Sequence, residues 1–104
     1  MLIYGLKTCD TCRKVQKLFP SADFIDIRAT PLERAFLEKR FKDLGQVLLN
    51  TRSTTWRGLS ETERAGDPVD LILQHPALMK RPLIYAEDTY FVGWTKDVQA
   101  ALGV

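Results

Sequence analysis

The sequence predicts an α/β fold, a small mixed sheet covered by helices, and three observations carry that prediction. A strand, a helix and a second strand follow one another within residues 2–27, the middle of the chain is helical, and the last third returns to β-rich runs around a tight turn. At 104 residues, 45% hydrophobic and 27% charged, the chain suits one globular domain with a core of its own. It holds no low-complexity tract and no internal repeat.

Leu2 to Gly5 reads as a short buried strand and Lys7-Thr8 as the loop leaving it. Asp10 to Phe19 has helical spacing, with Cys12, Val15 and Phe19 on one side, and Pro20-Ser21 ends the run. Asp23 to Ile27 alternates as a second strand, so the unit is βαβ, for which a right-handed crossover and parallel strands are expected. Thr30-Pro31-Leu32-Glu33 carries the signature of a capping box with proline in the first helical position. The helix expected from there to Leu44 buries Leu32, Phe36, Leu37 and Phe41, and Gly45 ends it. A further helical turn is expected at Gln46 to Leu49. The polar stretch 50–58 follows, then a second capping box at Ser60 and Glu63, and then a helix restarting at Asp67-Pro68 with Val69, Ile72 and Leu73 inward. Leu83 to Ala86 and Tyr90 to Val92 read as an antiparallel hairpin around Glu87-Asp88-Thr89, and Thr95 to Leu102 as a closing amphipathic helix. Trp56 and Trp94 read as packing residues, and His75, followed by Pro76, as a helix-end residue.

There is no basic segment leading into an apolar one at the start of the chain, and no apolar stretch approaches about 18 residues, so the chain reads as cytosolic. The net charge of +2 gives no reason to expect nucleic acid as a direct partner, and nothing points to a membrane. The first twenty residues nevertheless hold Lys7, Arg13, Lys14 and Lys17 against Asp10 alone.

The chemistry-bearing feature is Cys9-Asp10-Thr11-Cys12, which contains the only two cysteines. If Asp10 opens the helix, Cys9 stands where unpaired N–H groups and the helix dipole favour a thiolate, with Lys7 and Arg13 near in sequence. A fall in pKa from about 8.5 to about 7 raises the thiolate fraction at neutral pH roughly 16-fold and lowers its nucleophilicity roughly 5-fold. The net gain of about threefold leaves most of the rate to positioning. Cys12 lies one turn on, within reach of a disulfide, and a C-x-x-C inside a βαβ unit reads as thioredoxin-like. Two other readings stand beside it: Cys12 as a small apolar core residue, and a metal site, for which the chain offers no second ligand pair beyond His75. Arg81, before Pro82 and the strand Leu83 to Ala86, is placed to clamp an anion near Cys9, while the Arg81-Pro82 bond is open to cis or trans. Arg52 and Arg57 sit in the hydroxyl-rich stretch, where solvation accounts for them equally well.

In order along the chain, Ile3-Tyr4 followed by Cys9, then Leu48-Leu49-Asn50-Thr51-Arg52, then Gln74-His75-Pro76 leading to Lys80-Arg81-Pro82-Leu83-Ile84 resemble the glutaredoxin-coupled arsenate reductase family and its Spx-like relatives. The resemblance implies a single thioredoxin-like domain with a helical insertion over about 30–79, Cys9 as nucleophile, Arg81 as anion ligand and Pro82 in cis facing the cysteine. The chain departs from arsenate-reducing members at Asn50 and Gly93, where those carry basic residues. It looks closer to an uncharacterised bacterial branch for which a glutathione-dependent thiol reductase role has been suggested. The expected function is therefore a glutathione-coupled thiol-disulfide oxidoreductase with Cys9, Cys12 and Arg81 catalytic and Lys7, Thr8, Arg13, Arg52 and Pro82 binding substrate. No bound cofactor or metal is expected. Partners would be glutathione as co-substrate, or a small thiol or disulfide, and glutaredoxin, with the protein a monomer. Two alternatives remain open: an Spx-like redox-sensing regulator that binds RNA polymerase, and a true arsenate reductase.

Overall fold

The computed structural model describes residues 1–104, and the chain divides into two compact units, one formed by 1–30 with 81–104 and the other by 31–80. The first unit is built on a four-stranded sheet of β1 (Leu2–Gly5), β2 (Asp23–Asp26), β3 (Leu83–Ala86) and β4 (Thr89–Val92), in the order β2-β1-β3-β4. β1 pairs with β2 in parallel, as the βαβ reading requires, and β3 is antiparallel to both β1 and β4. Register places Phe24, Ile3, Ile84 and Phe91 opposite one another, a single apolar row crossing all four strands. Ile3 and Ile84 cluster with Val15 of α1 (Asp10–Leu18), and Trp94 and Leu102, which flank α6 (Lys96–Ala101), pack against them. Phe19 meets Trp94 edge to face, with centroids 6.3 Å apart.

The hairpin joining β3 to β4 turns on Glu87 and Asp88, both in left-handed backbone (φ 53° and 59°), the conformation a two-residue I′ turn requires. Glycine or asparagine is usual there. Here the Tyr85 hydroxyl donates to Asp88 Oδ1 (3.2 Å), and the Tyr85 and Tyr90 rings meet across the strands at 4.7 Å.

The second unit is helical: α2 (Arg34–Leu44), α3 (Thr54–Arg57), α4 (Glu61–Arg64) and α5 (Pro68–Gln74), with short 3-10 turns at Gly45–Leu48 and Pro76–Leu78. Leu37, Leu48, Val69, Ile72, Leu78 and Met79 are buried in it. Gly45 (φ 77°) ends α2, the Ser60–Glu63 capping box forms with both hydrogen bonds made, and Asp67 caps α5 with Pro68 in its first turn. Ser53 caps α3.

The capping box expected at Thr30 does not form. The Thr30 N–H donates to the Asp26 carbonyl (2.8 Å), which closes the turn after β2, residues 31–33 have no regular structure and Glu33 is extended, so α2 starts only at Arg34 without a side-chain cap. Leu32, Phe36 and Phe41 are half-buried rather than core, and the buried positions of α2 are Leu37 and Arg40. The Arg40 guanidinium lies over the Phe36 ring, 5.0 Å from its centroid, and pairs with Asp43, so the charged end is accommodated while the stem is covered. No helix is long and apolar enough to cross a membrane.

Candidate active site

Cys9 ends the loop leaving β1 and is the N-cap of α1. Its N–H donates to the Leu6 carbonyl and its own carbonyl accepts from the Arg13 N–H, both at 3.0 Å. The Cys12 N–H points at Cys9 Sγ (3.5 Å), so the sulfur takes the place that a serine or aspartate oxygen fills in most caps. Partial burial opposes ionisation of this thiol. The Cys12 N–H, the Cys12 thiol and a hydrogen bond and positive charge from Arg81 outweigh that burial, and the pKa falls below the ordinary 9.0.

Cys12 behaves in the opposite way. It is fully buried (0% exposed), and burial is the main reason its pKa is pushed up to about 12. The Leu6 N–H and the Arg81 charge pull it down, and the neighbouring Cys9 sulfur raises it further. One sulfur of the pair is thus an ionisable, half-exposed group and the other a protonated, enclosed one.

Gly5, at the end of β1, makes that enclosure possible. A Cβ at position 5 would stand 2.5 Å from Cys12 Sγ and 3.3 Å from the Phe24 ring, so the absent side chain is the space in which the sulfur rests. Replacing Gly5 by alanine is expected to cost about 1–3 kcal/mol through overpacking and to turn the Cys12 sulfur out of its seat. A urea unfolding series would show the loss, and a Gly5→Ala protein as stable as wild type would mean the seat is not tight.

The loop carrying Cys9 is pinned by Asp26 at the end of β2. Its Oδ2 accepts from the Lys7 N–H (3.1 Å) and its Oδ1 from the N–H groups of Arg28 and Ala29 (2.8 and 3.2 Å). Burial works against the carboxylate, but these three donors and the Lys7 charge hold its pKa below the usual range.

The cations near in sequence do not act where expected. Arg13 Nε donates to the Lys7 carbonyl (2.8 Å) and its guanidinium pairs with Asp10, while the Lys7 charge acts on Asp26, so the cation that reaches Cys9 is Arg81. Thr8 lies exposed in the same loop. The Arg81-Pro82 bond is cis and Pro82 is buried. Arg52 belongs to the helical unit, its N–H donating to Asn50 Oδ1 (3.1 Å). Asn50 thus closes a local turn. Gly93, whose N–H donates to the Pro82 carbonyl (2.8 Å), has a φ of 78°, a backbone in which an arginine would be strained. His75 caps the end of α5 through its N–H to the Leu71 carbonyl (2.8 Å). Gly5 was not legible as a site residue. The available signal was a glycine closing a strand four positions before Cys9.

A capping cysteine at the mouth of the first helix, on a β2-β1-β3-β4 sheet entered through a cis-proline, defines a thioredoxin-like protein of the arsenate reductase-related type. The comparison with known families makes this specific: the ArsC family model matches residues 4–102, and the chain belongs to that family. An uncharacterised protein of Haemophilus influenzae is 33% identical over 109 aligned positions, covering 95% of this chain and 96% of that one. Among solved structures, the YFFB protein superposes with a TM-score of 0.85 at 31% identity, with 96% of each chain covered. An arsenate reductase-related protein from Brucella melitensis gives 0.74 at 28% identity, covering 99% of this chain and 94% of that one. Membership places the protein, at family level, among thiol oxidoreductase-like folds.

Proposed function

We propose that the protein is a glutathione-coupled thiol-disulfide oxidoreductase whose nucleophile is Cys9. The observation that carries this reading is the position of Cys9, a half-exposed thiol at the N-cap of α1 with the Cys12 N–H directed at its sulfur and Arg81 beside it, an arrangement that holds its pKa below the ordinary value. In the first step the Cys9 thiolate attacks one sulfur of a disulfide substrate. A Cys9 mixed disulfide forms, the substrate S–S bond breaks, and the other half leaves as a thiolate whose negative charge Arg81 can stabilise. In the second step glutathione thiolate, or Cys12 after losing its proton, attacks Cys9 in the mixed disulfide and releases the second substrate thiol. By the first route a Cys9–glutathione disulfide is left, which one further glutathione reduces; by the second a Cys9–Cys12 disulfide is left, which two glutathiones reduce in turn, so by either route two glutathiones become one oxidised glutathione for each substrate disulfide reduced.

Glutathione suits such a site because its carboxylates are anions that a bidentate guanidinium recognises. Arsenate is a weaker candidate substrate, since Asn50 closes a turn and the Gly93 backbone is left-handed where arsenate-reducing relatives would place cations.

The test is the pH dependence of alkylation by iodoacetamide, read by mass spectrometry at each cysteine. Cys9 is expected to react with a midpoint below 9.0 while Cys12 stays unmodified in the folded protein, and oxidised glutathione should add to Cys9. Arg81→Gln should move the Cys9 midpoint upward, and Arg81→Lys should restore part of the shift. If Cys12 is the thiol modified first, or if Arg81→Gln leaves the midpoint where it was, the assignment is wrong.

A further inference from the structure

Within the helical unit, a cavity of about 180 Å³ is lined by Val47, Leu49, Asn50, Thr51, Arg52 and Lys80. Its walls are two chain segments tied together. The Asn50 N–H donates to the Leu78 carbonyl and the Lys80 N–H to the Leu48 carbonyl, both at 2.7 Å, with Leu49 facing Met79 in an antiparallel bridge. Leu48, Leu78 and Met79 are fully buried beneath, so the lining stands on a fixed base.

The lining has two positive charges and no negative one. The ion pairs Arg13–Asp10, Arg34–Asp70 and Arg40–Asp43 involve neither Arg52 nor Lys80, and no carboxylate lines the cavity. Beside them Val47, 55% exposed, and Leu49 offer apolar surface, and the Thr51 hydroxyl and the Asn50 amide offer neutral donors. The backbone N–H groups that would cradle a phosphate are already engaged: those of Asn50 and Lys80 on carbonyls, that of Arg52 on Asn50 Oδ1. Two cations next to aliphatic surface, with no open nest of N–H groups, fit an organic anion better than an inorganic one.

We infer that this cavity binds the carboxylate of a small organic anion. Arg52 and Lys80 hold the carboxylate, and Val47 and Leu49 take the aliphatic or peptide portion attached to it. The inference stands apart from the reading of Cys9, because it concerns binding and not thiol chemistry.

The experiment is an NMR titration of the full, reduced chain with three probes: hexanoate, S-methylglutathione, which has no thiol, and inorganic phosphate. Saturable shifts at the amides of 47–52 and 80 are expected with an organic carboxylate. Hexanoate as the tighter probe would mean that the aliphatic tail is recognised, and S-methylglutathione as the tighter would mean that the peptide is. Arg52→Gln and Lys80→Gln should each weaken binding about tenfold, the loss expected for one charge-assisted hydrogen bond. Phosphate binding as tightly as the carboxylates, shifts confined to other residues, or variants that bind like wild type would each overturn the inference. None of these outcomes depends on which cysteine is the nucleophile, and failure of the alkylation test at Cys9 would leave this result standing.

Discussion

Replacing Cys9 by serine is expected to lower the glutathione-coupled reduction of a small test disulfide by at least about 10³-fold, the scale seen when a covalent nucleophile is lost. A serine hydroxyl at neutral pH is almost wholly protonated, and it cannot form the mixed disulfide on which the two-step scheme depends. What makes this substitution informative is its effect on folding. Cys9 is the N-cap of α1, with the Cys12 N–H directed at its sulfur. Serine is among the preferred residues at that position, and its oxygen makes a better acceptor than sulfur. The helix should therefore hold or gain stability, by about 0.5–1 kcal/mol. Loss of turnover with an unchanged or higher Tm would separate chemistry from structure, whereas a Cys9→Ser protein that keeps its activity would remove Cys9 from the mechanism.

Most of the fold was legible because it follows from local periodicity and punctuation. β1, α1 and β2 come from a strand, an amphipathic run and a second strand broken by Pro20-Ser21, and the Ser60–Glu63 box and Asp67-Pro68 start their helices as read. Where two local signals competed for the same residues, the helix signal lost to the turn. Thr30 has the right neighbours for a cap, but its N–H closes the turn after β2 on the Asp26 carbonyl, four residues back. Arg40 shows a different failure. It lies on the stripe Leu37, Arg40, Phe41 and Leu44, whose spacing of three, four and seven residues marks the inward face of α2, yet its charge argued for solvent. The period was the better guide, because the guanidinium over the Phe36 ring and paired with Asp43 is accommodated while the residue is buried.

The site was legible in the same uneven way. Cys9 at the helix mouth follows from Asp10 opening α1, and this holds for any sequence that places a thiol at an N-cap. The identity of the cation does not follow, because nearness in sequence says little about where a long side chain goes: Arg13 is drawn to the Lys7 carbonyl and Asp10, and Arg81 arrives from the other end of the chain. Gly5 is harder still. Its importance lies in the volume it lacks, 2.5 Å from a sulfur seven positions later, and only packing reveals it.

Alkali should expose the state of Cys12. Its thiol titrates near 12 in the folded protein and near 9.0 when the chain unfolds, so between these values the unfolded state releases a proton that the folded state keeps. Stability from this group is fully present below pH 9.0 and is lost as pH rises towards about 12, at a slope of about 1.4 kcal/mol per pH unit. Cys12→Ala lacks that proton and leaves only a small void, so it should be less stable than wild type at neutral pH by about 1 kcal/mol and lose stability less steeply above pH 9.0. Urea unfolding at intervals across the alkaline range should show the two curves converge and cross, and parallel curves would mean that Cys12 titrates in the folded protein as it does in the unfolded one. The same raised pKa bears on turnover. When Cys9 enters a mixed disulfide its charge is lost, which removes one cause of the Cys12 shift, but burial, the larger cause, persists. Intramolecular attack by Cys12 thus remains slow at neutral pH compared with attack by glutathione arriving from solvent, and Cys12→Ala should keep most of the glutathione-coupled rate.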